Sequence, residues 1–228
     1  SSETGPVAVD PTLRRRIEPF HFQFNNDPRA YRRKTYLCYE LKQDGSTWVL
    51  DRTLRNKGRH AEICFLDKIN SWERLDPAQH YRVTWYMSWS PCSNCAQQVV
   101  DFLKEHPHVN LRIFAARLYY HEQRRYQEGL RSLRGSGVPV AVMTLPDFEH
   151  CWETFVDHGG RPFQPWDGLE ELNSRSLSRR LQAGILGLPP CLNILRRKQP
   201  QLTFFTIALQ SCHYQRLPPH ILWATGLK

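Results

Sequence analysis

The chain has 228 residues, of which 40% are hydrophobic and 23% charged, with a formal charge of +9. That length suffices for one sizeable core, or for a core with a small appendage. Seven cysteines without regular disulfide spacing, and no apolar run of bilayer-spanning length, argue against a disulfide scaffold and a membrane protein and for a reducing compartment. The N-terminus shows no apolar signal segment, so a soluble protein of cytoplasm and nucleus is expected. Residues 1–12 are small, polar and expected to be poorly ordered, and Arg14-Arg15-Arg16 adds a basic run. Phe20–Phe24 alternates and is closed as a turn by Asn25-Asn26-Asp27-Pro28. Thr35–Leu41 reads as a strand, Asp44-Gly45 as a hairpin signal, and Thr47–Asp51 as the return strand. Arg52–Arg59 reads as a basic loop.

Ile63, Leu66 and Ile69 give Ala61–Ile69 helical spacing. Tyr81–Ser88 reads as a buried strand, and a helix starts at Ser90-Pro91 and runs to about His106. Leu111–Ala116 is a strand, followed by the aromatic and basic segment Arg117–Arg125. A helix through Leu130 and Leu133 stops at Gly135 or Gly137, Val138–Met143 is a strand, and Pro146–Val156 a helix. Arg161–Gly168 is irregular, and Leu169–Ala183 is a helix with Arg175, Arg179 and Arg180 on one face. Strands alternating with helices after an antiparallel hairpin predict an α/β fold with a mixed central sheet. Beyond Gly187-Leu188-Pro189-Pro190 the texture changes. Gln201–Leu209 and Ile221-Leu222-Trp223 are strongly apolar, in a segment too short for its own core. It is expected to pack on the body or on a second copy, governing self-association and not chemistry.

The chemistry is carried by His60-Ala61-Glu62 and Pro91-Cys92-Ser93-Asn94-Cys95, about thirty residues apart. Zinc binds imidazole and thiolate, and a catalytic zinc takes three protein ligands with one position left for water. His60, Cys92 and Cys95 are the ligand set, Glu62 the acid/base carboxylate. This is the signature of the zinc deaminases. Cys-x-x-Cys alone also fits a redox pair or half of a structural zinc site, but no second pair stands at comparable spacing.

Around that motif stand Ser88-Trp89-Ser90-Pro91-Cys92-Ser93-Asn94-Cys95, Lys34-Thr35-Tyr36-Leu37-Cys38-Tyr39-Glu40 and Ile113-Phe114-Ala115-Ala116-Arg117-Leu118-Tyr119-Tyr120. With these the chain resembles the APOBEC/AID-type polynucleotide cytidine deaminases. Residues 20–185 resemble the antiviral, DNA-editing branch, through Cys151–His158 and Phe163–Leu169. Residues 1–19 and 186–228 are similar to the ends of the apolipoprotein-B mRNA-editing member, in its rodent form. The resemblance therefore implies a basic N-terminal segment, a deaminase domain and a hydrophobic appendage. It also implies an engineered chimera, usable as a cytosine base-editor deaminase fused to an RNA-guided nuclease. The fold it implies is the cytidine deaminase fold, a five-stranded mixed sheet flanked by about six helices, with Zn2+ as cofactor.

The activity implied is deamination of cytosine to uracil in single-stranded DNA, with RNA editing or noncatalytic strand binding as alternatives. Charge and the 12% aromatic content agree with a single-stranded partner. The resemblance assigns Thr35, Asn56, Ala61, Trp89, Ser90 and Tyr119 to the cytosine pocket. Arg29, Arg32, Arg33, Arg55, Arg59 and Arg117 are expected to flank it as phosphate contacts. Tyr120 and His121 lie in the loop that reads the base 5′ to the target, and Tyr119-Tyr120 there resembles members that favour thymine.

Overall fold

The computed structural model describes residues 16–187, apart from 28, 30–33, 48, 57 and 72–74. The chain divides into residues 1–188 and 189–228, and the described residues lie in the first unit. The apolar segments at 201–209 and 221–223 lie outside the described residues, as do residues 1–12 and the 14–15 portion of the basic run.

The first unit is built on one sheet of order β2-β1-β3-β4-β5, with β1 Tyr36–Gln43, β2 Val49–Arg55, β3 Tyr81–Met87, β4 Val109–Ala115 and β5 Val140–Val142. β1 runs antiparallel to β2 and β3, whereas β3, β4 and β5 are mutually parallel. Around it lie α1 Pro19–Asn26, α2 Ala61–Ser71, α3 Ser93–Glu105, α4 Arg124–Gly135 and α5 Leu145–Phe155. The last helix, α6, has wide π-type turns over Glu170–Leu177 and Arg180–Ile185. The fold is thus the mixed five-stranded α/β arrangement expected. No helix among the described residues is long and apolar enough to cross a membrane.

Strand alternation divides the core in two. Leu37, Tyr39 and Leu41 of β1, Val83, Trp85 and Met87 of β3, and Ile113 of β4 join Phe65, Val99, Leu130, Leu133 and Leu181 from the helices. The intervening Cys38, Tyr86 and Phe114 meet Phe148, Cys151, Trp152, Phe155 and Phe163 on the other side. A period of two places successive side chains on opposite faces, so one strand serves both cores. Local signals stop and start the helices. Pro146 stands in the first turn of α5, where the Asp147 carboxylate accepts hydrogen bonds from the Thr144 N–H (2.7 Å) and Oγ1 (2.8 Å).

Three local expectations are corrected. Phe20–Phe24 is helical, not extended: Pro19 opens α1, Phe22 is buried, and Asn26 returns a side-chain hydrogen bond to the Phe22 carbonyl (2.8 Å). The basic loop expected at Arg52–Arg59 is strand as far as Arg55, because Leu54 and Thr53 pair with Leu37 and Cys38 while the arginines lie along the sheet's edge strand. Pro91 precedes the start of α3, whose N-cap is Cys92. At the start of the unit, Ile17 is buried and bridges to Val156, and at its end Ile185 and Leu186 are buried in the core that contains Leu181.

The pairing registers bring one end of the sheet together. Tyr36 opposes Arg55, Leu37 opposes Met87, and Met87 opposes Ala115. The start of β1 therefore lies beside the exits of β2, β3 and β4. Every residue segment assigned to the site leaves or enters the sheet at that end. Ligand sites collect at the carboxyl ends of parallel strands for the same topological reason.

Candidate metal centre and nucleotide pocket

His60 stands immediately before α2, and its carbonyl accepts the Cys64 N–H (3.1 Å) to start the helix. Cys92 caps α3, its sulfur accepting the Cys95 N–H (3.5 Å). The two helix starts converge: Cys92 Sγ and Cys95 Sγ lie 3.6 and 3.2 Å from His60 Nδ1. The three ligand atoms fall within 4.8 Å of one another and form the one such group able to hold a metal among the described residues. Tetrahedral zinc with Zn–N near 2.0 Å and Zn–S near 2.3 Å needs ligand atoms about 3.6 Å apart. One imidazole and two sulfurs at helix N-termini fit that ion in both spacing and donor type.

The sulfurs titrate as a pair. Cys92 is held down at about 5, first by the hydrogen bond from Cys95, then by the Cys95 N–H and His60. Cys95 is pushed up because it keeps the shared proton next to that thiolate. A divalent cation between them favours both thiolates. Glu62, in the first turn of α2, is 4% exposed, and burial raises its carboxyl to about 7, with negative charge at Cys92 adding to the rise. A carboxyl in this range accepts and returns protons near neutrality. When bound, zinc supplies the Lewis acidity that makes water nucleophilic at neutral pH.

Hydrogen bonds link the residues assigned to the nucleotide pocket and their neighbours. The Tyr36 N–H donates to Ser88 Oγ (2.8 Å) and the Ser88 N–H to the Tyr36 carbonyl (3.0 Å). The Ser90 N–H donates to the Arg117 carbonyl (2.8 Å), and the Tyr119 N–H to Ser90 Oγ (2.9 Å). Trp89 and Tyr119 meet edge to face at 5.9 Å. Thr35 and Asn56 are tied together, with the Thr35 N–H on Asn56 Oδ1 (2.9 Å) and the Asn56 N–H on the Thr35 carbonyl (3.1 Å). Ala61, the first residue of α2, is fully buried. A cavity of about 340 Å³ opens along Trp89, Leu118, Tyr119, Tyr120, His121, Glu122 and Gln123. Tyr120 is exposed over nearly half its surface and has φ of +40°, the one positive φ outside glycine among the described residues. His121 touches Arg180, and burial followed by that charge lowers its pKa.

The arginines separate into different roles. Arg55 is exposed at the end of β2, Arg29 is gripped by Asp27 (2.6 Å), and Arg59 pairs with Asp67. Arg32 and Arg33 lie outside the described residues. Arg117 departs from the expected phosphate contact: it is 4% exposed, with its guanidinium 4.1 Å from the Trp89 ring centre. It donates to the carbonyls of Ser88 (3.4 Å) and Asp27 (3.3 Å), and burial lowers its pKa to about 10. Its setting among Ala115, Ala116 and Leu118 was the sequence signal for an interior arginine. Three contributors escaped the sequence reading. Arg125 donates to Ser93 Oγ (3.1 Å), Tyr126 packs on Tyr119 and Tyr120, and fully buried Asn173 donates to the Ala116 carbonyl (2.9 Å). Tyr126 stands six residues after Tyr120, close enough in sequence to have drawn notice; Asn173 carries no local signal.

Comparison with known proteins agrees with this arrangement. Residues 14–185 match the family described as APOBEC3, cytosine deaminase domain. The chain is 52% identical to the C->U-editing enzyme APOBEC-1 of Rattus norvegicus over 228 residues, all of both chains. It is 50% identical to the Mus musculus enzyme of the same name, again over the whole of both. It is also 53% identical to the DNA dC->dU-editing enzyme APOBEC-3H of Felis catus over 164 residues, 70% of this chain and 84% of the feline one. Buried acid, two helix starts and sequence relationship thus converge: the chain belongs to the APOBEC family of cytidine deaminases and mixes features of its APOBEC-1 and APOBEC-3 branches.

Proposed function

We propose that this protein deaminates cytosine in single-stranded DNA, favouring a thymine 5′ to the target. The observation that carries the reading is the buried Glu62 beside the His60, Cys92 and Cys95 cluster. Glu62 passes one proton of the attacking water to the ring nitrogen and then carries the second, from the newly added hydroxyl, to the leaving amine. Water adds to the carbon bearing the amine, ammonia leaves, and uracil remains. Trp89 and Tyr119 offer π-faces to a base that has left its stack, and Thr35 and Asn56 hold the nucleotide. Tyr120 and His121, at the cavity beyond Tyr119, read the preceding base. Arg55, exposed at the end of β2, is a candidate for phosphate contact.

The feline relative is named a DNA dC->dU-editing enzyme, which supports DNA, whereas the rat relative is named a C->U-editing enzyme without the deoxy prefix, which leaves RNA as a second substrate. Similarity to both branches also supports a composite chain, with a DNA-editing core between APOBEC-1-like ends. Matched DNA and RNA strands, incubated with zinc-loaded protein and scored for uracil, separate the two substrates. A randomised single-stranded DNA pool, sequenced after reaction, reads the 5′ context. Strand binding without uracil release from either polymer rules out the deaminase reading.

A further inference from the structure

The N-terminal turn of α3 carries both sulfurs of the ligand set, and α4 packs directly against it. The contact is made by Gly129. A Cβ built there meets Ser93 Cα at 3.0 Å, the Ala96 side chain at 3.3 Å and Ser93 Cβ at 3.5 Å. Helix propensity favours alanine over glycine at an interior position, so the glycine answers to space and not to local conformation. Its nearest neighbour is backbone, which cannot rotate away as a side chain does. A second, independent tie reaches the same residue: Arg125, one turn earlier on α4, donates to Ser93 Oγ (3.1 Å). Ser93 lies between Cys92 and Cys95. The loop Tyr119–Gln123 runs directly into α4.

We infer that Gly129 is a positioning residue for the metal centre: α4 braces the first turn of α3 and sets the separation of Cys92 and Cys95 relative to His60. This rests on His60, Cys92 and Cys95 being the metal ligands. Gly129→Ala forces Ser93 outward by a few tenths of an ångström, which a fixed tetrahedral geometry registers directly. The test uses the full chain, with zinc retention measured against a competing chelator and the thiolate-to-metal absorption bands of the cobalt(II)-substituted protein. Gly135→Ala is the control, since a Cβ there meets nothing within 4 Å. Gly129→Ala is expected to hold zinc at least tenfold more weakly and to shift the cobalt bands, with Gly135→Ala matching wild type. Unchanged affinity and bands in a folded Gly129→Ala protein, or equal losses in both variants, overturn the inference. Wild-type protein that binds no zinc overturns the ligand assignment itself. Should Gly129→Ala not fold, Arg125→Ala probes the same brace without a clash. A cobalt-band shift with about threefold weaker zinc supports the brace, and a spectrum and affinity like wild type refute it.

Discussion

On the face of the sheet covered by α2, α3 and α4 the core is mainly aliphatic, and it ends at the ligand cluster. On the face covered by α5 the core is dominated by rings, with Phe148, Trp152, Phe155 and Phe163 against Phe22, and it holds neither ligand nor catalytic acid. The cysteines make the contrast chemical. Burial among rings raises Cys38 to about 12 and Cys151 well beyond the usual thiol range, so both are inert fillers. Cys92, at a helix start, is lowered to about 5, first by the hydrogen bond from the Cys95 side chain and then by the Cys95 N–H and the His60 imidazole. One residue type serves packing on one face and offers candidate metal ligands on the other, and surroundings alone decide which. Chemistry and stability should therefore be separable by face.

The largest test of that separation removes a ligand. Cys95→Ser is expected to abolish zinc binding and deamination together, read by metal analysis and uracil release, because three ligands are the minimum set for such a site. Full zinc content in the variant breaks the assignment. Next comes Glu62→Gln, which keeps the cluster but not the proton transfer. The rate should fall by roughly 10²–10⁴-fold with zinc content unchanged. Phe148→Ala probes the other face, where the ring is fully buried, stacked on Phe163 and edge-on to Trp166. It should cost about 3–5 kcal/mol in denaturant unfolding while the folded fraction retains wild-type turnover and zinc. A loss of turnover per folded molecule comparable to that of Glu62→Gln removes the separation.

The smallest effect belongs to the exposed pair on the ring-lined side, His150 Nε2 with Glu40 (2.9 Å). The Glu40 carboxylate, helped by Asp147, raises the His150 pKa above its ordinary 6.5 despite partial burial. A raised folded pKa means that the pair stabilises fully below the unfolded value. That contribution is lost as pH rises through the folded value, somewhat above 6.5. At this exposure it amounts to about 0.5 kcal/mol. Unfolding of Glu40→Gln against wild type between about pH 5.5 and 8.5 should show the difference shrinking as pH rises; a constant difference contradicts the pairing.

Much of the candidate site was legible because its signals are local. A histidine two residues before a glutamate, and cysteines three apart behind a proline, sit where helix starts require particular geometry. The central strands were legible from apolar alternation. What escaped depends on contacts distant in sequence. Phe20, Phe22 and Phe24 alternate like a strand, yet the segment is a helix in which Phe22 packs on Trp152 and Phe163. Arg117 has the composition of a phosphate contact, but its role is set by a tryptophan 28 residues earlier. The same limit applies to Asn173, which reaches the Ala116 carbonyl across 57 residues.

The left-handed backbone of Tyr120 bears on how this loop could be diversified. Valine, isoleucine and threonine crowd that conformation most, whereas glycine, asparagine and aspartate tolerate it. A saturation library at position 120, sorted for folded protein before any selection on sequence context, should already be depleted in the β-branched residues. Changes in the preferred neighbouring base would then be drawn from a narrowed alphabet, imposed by the main chain and not by the nucleic acid.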